Sequence, residues 1–236
     1  MRAVILAGGK GTRLRPFTSL IPKPLVPVGG KYSIMEVIIM QLAKAGFDHV
    51  TIAVNHLAHL IMSYFGDGAK WGIKIDYSIE EQELSTIAPL KLIKDLPDTF
   101  LVMNGDVLSN LDFEVFYKSH KNSNSEVSVA AFPRNVKIDY GVLHVDKNDN
   151  LKEFQEKPSF NYLVSMGVYC INKKVIDRID KEVPYGFDDL MTDSIENNQK
   201  VRIDRFNGIW YDIGRPEDYE YVDSNFDNLF QMIFEK

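Results

Sequence analysis

The apolar run Arg2-Ala3-Val4-Ile5-Leu6-Ala7 passes without a spacer into Gly8-Gly9-Lys10-Gly11-Thr12-Arg13-Leu14, and then into Arg15-Pro16-Phe17-Thr18 and Pro22-Lys23-Pro24-Leu25-Val26-Pro27. A short apolar strand that ends on glycines constrains the fold strongly. It predicts a strand whose carboxyl end opens into a loop of bare backbone amides, the place where open α/β sheets put ligands. Glycines let N–H groups close on an anion, and Lys10, Arg13, Arg15 and Lys23 add cations to the same segment. The loop departs from the ATPase pattern, because Gly-Lys is followed by Gly11 and position 5 is not glycine. It departs from the dinucleotide fingerprint too, whose third glycine would fall at Leu14.

The rest of the chain supports an α/β reading. Strands are expected at 2–7, 49–54, 73–77 and 100–103. Between the first two, Ser33 and Glu36 form a capping box ahead of Ile34, Ile38 and Leu42, and Gly46 stops the helix. A second helix is expected at 57–65. This alternation implies a largely parallel sheet with helices on both faces and right-handed crossovers. From about residue 125 the spacing changes. Short β-runs at 127–132, 141–145 and 151–154 surround turn formers such as Asp146-Lys147-Asn148-Asp149-Asn150. A strand at 162–171, a helix at 187–197, a strand at 201–206 and a helix at 216–232 complete the pattern. With no repeat and no flexible linker, residues 1–236 are expected to form one domain. The change of spacing divides it into a first part over about 1–124 and a closing part over about 125–236.

Charge narrows the partners. Lys and Arg number 27 against 33 Asp and Glu, for a net charge of −6, which disfavours nucleic acid and anionic membranes as partners. A site for phosphate must therefore be built locally. No apolar run reaches the length of a membrane span. The lone Cys170 sits in an apolar run that reads as core, and the chain is expected in the cytoplasm. His49, His56, His59, His120 and His144 share no compact metal-ligand spacing except His56 with His59, which lack a nearby cysteine or zincin-type glutamate, and all five read as surface or helix-end residues.

The stretch from Ala3 to Pro27 resembles the signature of the sugar-1-phosphate nucleotidyltransferases, also called nucleotide-sugar pyrophosphorylases. The resemblance spans roughly residues 1–232 and implies a nucleotide-binding part over about 1–124 and a sugar-phosphate-binding and closing part over about 125–236. It implies a Rossmann-like, mostly parallel mixed sheet flanked by helices, with a small β-rich sugar-binding insertion, the nucleotide-diphospho-sugar transferase type. Leu6, Ala7, Gly8, Gly9, Gly11, Thr12, Arg13 and Lys23 would then bind the nucleoside triphosphate. Asn104-Gly105-Asp106 after the fourth strand and Trp210-Tyr211-Asp212-Ile213-Gly214 near the end match the family's metal motifs, so Asp106 and Asp212 would hold Mg²⁺. Asp139-Tyr140-Gly141 and Glu156-Lys157-Pro158 match its sugar-phosphate motifs, implying roles for Gly141, Glu156 and Lys157. Arg13, Lys23, Asp106, Lys157 and Asp212 are the expected catalytic set.

Two departures bear on specificity. The family's Gly-Thr-Ala loop appears as Glu81-Gln82-Glu83-Leu84-Ser85-Thr86-Ile87-Ala88-Pro89, with Gln82 placed to read a base edge. Ser85 stands there for glycine, and Ile87 for a smaller residue. Ser165 replaces the asparagine that contacts sugar. The Pro22–Pro27 run resembles that of guanylyl- and uridylyl-transferring relatives, and the expectation drawn from it is GTP with a mannose- or heptose-type 1-phosphate, as in the short mannose- and heptose-1-phosphate guanylyltransferases. UTP or CTP with another sugar, or with a phosphorylated alcohol such as choline phosphate, is the alternative. Keeping both aspartates argues against a non-catalytic binding subunit. A stand-alone transferase is expected, with a homodimer as its candidate assembly.

Overall fold

The structure, a computed structural model, describes residues 1–179 and 183–235. In chain order it runs β1 (Arg2–Ala7), β2 (Pro27–Val28), β3 (Tyr32–Ser33), α1 (Ile34–Lys44), β4 (His49–Val54), α2 (Ala58–Phe65), β5 (Lys74–Ile79) and β6 (Thr99–Asn104). It continues through β7 (Val107–Ser109), α3 (Phe113–Lys121), β8 (Val127–Lys137), β9 (Gly141–Val145), β10 (Leu151–Glu156) and β11 (Ser159–Asn172). The last elements are α4 (Lys173–Asp177), α5 (Phe187–Glu196), β12 (Val201–Arg205), β13 (Trp210–Asp212), α6 (Pro216–Ser224) and α7 (Phe226–Phe234).

A seven-stranded sheet in the order β12-β8-β11-β6-β1-β4-β5 carries the fold. The expected parallel core is present: β1 pairs in parallel with both β4 and β6, and β4 with β5. The sheet is mixed because β11 runs antiparallel to β6 and β8. Strand alternation divides the core between the two faces. Ala3, Ile5, Leu101 and Met103 face a layer containing Ile34, Ile38 and Leu42 of α1. Val4, Phe100 and Val102 face the layer of Val175, Ile176 and Leu190.

Helix α1 starts as its sequence requires, with the Ser33 side chain accepting from Glu36 N–H at 3.2 Å. At its end, Gly46 at φ 77 lets Phe47 N–H return to the Leu42 carbonyl. The expected helix at 216–232 is two helices that part at Asn225. Just past the break, the Phe226 ring packs against Gly29 and lies 6.1 Å from that of Tyr32. His120 sits at a helix end as expected but is buried, with its ring on Ser128 at 2.8 Å and Asn172 at 3.2 Å. The small β-rich insertion is the β9–β10 pair, which lies outside the main sheet between β8 and β11. Cys170 is fully buried, and burial pushes its thiol well up.

Candidate active site

Four parallel strands end side by side, and the residue after each one faces a common cavity of about 570 Å³: Gly8 after β1, Asn55 after β4, Glu80 after β5 and Gly105 after β6. Leu6, Ala7, Gly9, Lys10, Gly11, Thr12, Arg13, Lys23, Ser85 and Asp106 also line it. A Cβ on Gly105 would be crowded, 3.2 Å from the Leu6 carbonyl and 3.1 Å from Met35 Cε. That close approach sets Asp106 beside the first loop.

Lys23 is carried inward by a tight turn in which Leu25 N–H bonds to the Pro22 carbonyl at 2.8 Å and Val26 N–H to that of Lys23 at 3.1 Å. Thr18 Oγ1 donates to the Gly11 carbonyl at 2.7 Å, which fastens the glycine loop to the same segment. The Lys23 side chain is 11% exposed, and its ammonium pairs with Asp106 and lies 3.9 Å from Asp212 Oδ1. Arg13 Nη1 lies 4.0 Å from the other oxygen of Asp212, Oδ2.

A short antiparallel ladder makes this convergence possible. Strands β7 and β13 pair Asp212 with Val107, and Ile213 N–H donates to the Asp106 carbonyl at 3.0 Å. Gly214 completes the junction. A Cβ on it would lie 2.8 Å from Asp212 Oδ1 and 3.0 Å from Arg13 Nη2. Two carboxylates directed at one cationic centre suit a hard divalent ion that keeps several waters and shares substrate phosphates. Among the described residues, no group of three or more His, Cys, Asp or Glu forms a fuller cage.

Ser85 adopts φ 70, the left-handed region that favours glycine, so the serine keeps the backbone shape a glycine would give, at a cost of about 1 kcal/mol or more. The bulk expected of Ile87 in place of a smaller residue does not reach the cavity, because its side chain is fully buried in the core beneath the loop. Gln82 is exposed and outside the cavity lining.

The residue that sequence reasoning missed is Glu80. It is 9% exposed, takes a hydrogen bond on its carboxylate from Leu84 N–H, and lies 3.1 Å from where a Cβ on Gly8 would be. Burial raises its pKa, and the nearby Glu83 charge adds to the rise. Its position was legible in principle, since it follows β5 as Gly8 follows β1.

The expected sugar-phosphate residues stand apart from this lining. Gly141 and Glu156 face each other across the β9–β10 pair, where a Cβ on Gly141 would meet the Phe154 ring at 2.7 Å and Glu156 Oε2 at 3.2 Å. Lys157 is exposed at φ 44. Ser165 is nearer the metal-type pair. Its hydroxyl bonds to Tyr169 Oη at 3.1 Å, and Tyr169, pushed up to about 12 chiefly by burial, also feels the Asp106 charge.

Residues 2–228 match the family model described as nucleotidyl transferase. The chain belongs to the nucleotidyl transferase family. Among curated relatives it is 34% identical over 239 residues to the UTP–glucose-1-phosphate uridylyltransferase of Synechocystis sp., covering 93% of this chain and 61% of that protein. It is 35% identical over 236 residues to a probable mannose-1-phosphate guanylyltransferase 1 of Oryza sativa subsp. japonica, covering 93% of this chain and 63% of that protein. The chain thus spans less than two thirds of the length of these relatives. HddC from Yersinia pseudotuberculosis superposes with a TM-score of 0.74 at 25% identity, covering 95% of this chain and 99% of that one. A putative glucose-1-phosphate thymidylyltransferase from Bacillus anthracis gives 0.75 at 22% identity, covering 95% and 94%. These relatives bear out the resemblance to the sugar-1-phosphate nucleotidyltransferases, and the neighbours bear out the fold class.

Proposed function

We propose that the chain transfers a nucleotidyl group from a nucleoside triphosphate, GTP by preference, to a mannose- or heptose-type sugar 1-phosphate. A sugar-phosphate oxygen forms a bond to the α-phosphorus, the bond from that phosphorus to the bridging oxygen breaks, and pyrophosphate leaves with the electron pair. The convergence of Lys23, Arg13, Asp106 and Asp212 at the glycine-lined cavity carries this reading.

Each group then has a task set by charge. The amides of residues 8–12 and Arg13 neutralise the β- and γ-phosphates, and Lys23 addresses the α-phosphate. Asp106 and Asp212 would hold Mg²⁺, which when bound supplies positive charge to the phosphates of two polyanions that otherwise repel. Glu156, Lys157, Gly141 and Ser165 are assigned to the sugar phosphate, with Lys157 holding its phosphate. A phosphate monoester is nucleophilic at neutral pH, so the reaction asks for no histidine base.

Glu80 supports the preference for guanine. An ionised carboxylate only accepts hydrogen bonds, and the Watson–Crick edge of guanine offers two adjacent donors, N1–H and the 2-amino group. Uracil and thymine present one donor between two acceptors, which a carboxylate repels and a carboxamide tolerates. Pyrophosphate release measured across four triphosphates and a panel of sugar 1-phosphates tests the assignment. Glu80→Gln is expected to lower kcat/KM for GTP by about tenfold or more and to narrow its advantage over UTP. An unchanged GTP-to-UTP ratio would remove the guanine assignment.

A single functional unit over residues 1–236, a cytoplasmic setting and a homodimer belong to the same proposal. The buried, unpaired Cys170 suits a reducing compartment. Among the described residues no helix is long and apolar enough to cross a membrane.

A further inference from the structure

The Lys23 ammonium and a divalent ion would contend for the same carboxylate oxygens. We propose that Lys23 is a resident counter-cation that a divalent ion must displace, so that the ion binds tightly only together with the nucleotide, which gives Lys23 a new partner. This inference rests on reading Asp106 and Asp212 as the ion-binding pair.

Three observations carry it. First, the ammonium touches Asp106 and stands 3.9 Å from Asp212, which is the disposition of one shared cation. A second positive centre between the same oxygens would meet Nζ at close range, in a pocket where Lys23 and Asp106 are only 11% and 19% exposed and water screens weakly. Second, the stem of Lys23 is fixed at its base. Its own carbonyl accepts from Val26 N–H at 3.1 Å in the turn, so the ammonium yields by side-chain rotation and not by backbone movement. Third, the charges already balance: Lys23 and Arg13 face Asp106 and Asp212, two against two. A divalent ion arriving alone would leave the group with an excess of positive charge, whereas one arriving with a polyphosphate would not.

The displaced ammonium then becomes available to the α-phosphate. One lysine thus performs two tasks in sequence, as a flexible four-carbon stem with a compact charge permits.

The test is Mn²⁺ binding to the full chain, followed by electron paramagnetic resonance of the free ion, with and without a non-hydrolysable GTP analogue. Lys23→Met should bind Mn²⁺ alone at least tenfold more tightly than the unsubstituted protein, about 1.4 kcal/mol, and the gap should shrink to less than threefold with the analogue present. Lys23→Gln, which keeps a polar side chain in the pocket, should move the same way, and Mn²⁺ alone should raise the Tm of either variant more than that of the parent. If parent and variants bind Mn²⁺ equally without nucleotide, while all bind it with the analogue, the displacement is wrong and the aspartate assignment stands. If no form binds Mn²⁺ under either condition, the aspartate assignment falls and the displacement falls with it.

Discussion

Glu126 offers the clearest prediction about the scaffold, because its charge is held by two cations in a place remote from the cavity. Its carboxylate takes a two-pronged contact from Arg178 at 2.8 and 3.0 Å and a further one from Lys174 at 2.7 Å. These hold its pKa at about 2, chiefly through the Arg178 and then the Lys174 hydrogen bonds, against an ordinary value of 4.5. At about 1.36 kcal/mol for each pH unit between the two values, the ceiling on its contribution is roughly 3.4 kcal/mol. The cationic arms are 48% and 57% exposed, so solvent screening reduces this to about 1–2 kcal/mol.

The folded pKa lies below the unfolded one, so this stabilisation is complete above about pH 4.5 and drains away as the pH falls towards 2. Glu126→Gln should therefore lower stability by about 1–2 kcal/mol at pH 7, or Tm by about 2–8 °C. At pH 3 the gap should have fallen to roughly half or less. Urea unfolding of both proteins at the two pH values reads this directly. Turnover at 25 °C should not change, because Glu126 lies near Asn172 and Thr99, at the end of β6 away from Asp106. A gap of the same size at pH 3, or none at pH 7, would refute the argument.

Two other substitutions separate site from scaffold. Asp106→Ala should reduce pyrophosphate release by about a thousandfold or more while circular dichroism still reports the native fold; unchanged turnover in a magnesium-supplied assay would reject the residue's assignment. Gly68→Ala places a Cβ against the Ile73 carbonyl and 2.6 Å from Ile75 Cγ1 at φ 85, and should cost about 2–4 kcal/mol in chemical unfolding with activity per folded molecule unchanged.

The elements set by local pattern were readable from the residues alone. The strands β1 and β4 coincide with their expected spans, and α1 has the cap and stop its sequence implies. Periodicity was uninformative where pairing is distant in sequence. The β7–β13 ladder is too short for any alternation to register, yet it joins the two aspartates. Glu80 was hidden for a related reason: a carboxylate after the strand-like run ending at Ile79 looks like the solvated end of that strand, and only the neighbouring strand ends reveal that it turns inward. The Asn225 break in the last helix was also invisible, because Val222, Phe226, Leu229 and Ile233 keep a helical spacing across it.

The β7–β13 pairing has a consequence for the order in which the protein becomes competent during synthesis. The glycine loop and Asp106 are made before Asp212, and β1, β4, β5 and β6 can assemble around them. Asp212 emerges only after β8, β11 and β12 have been made, and it reaches its partner through a contact of high sequence separation, the kind that forms slowly. A nascent chain can therefore own a glycine-lined crevice well before it owns a second carboxylate, and the pair is complete only after every strand of the main sheet has been made.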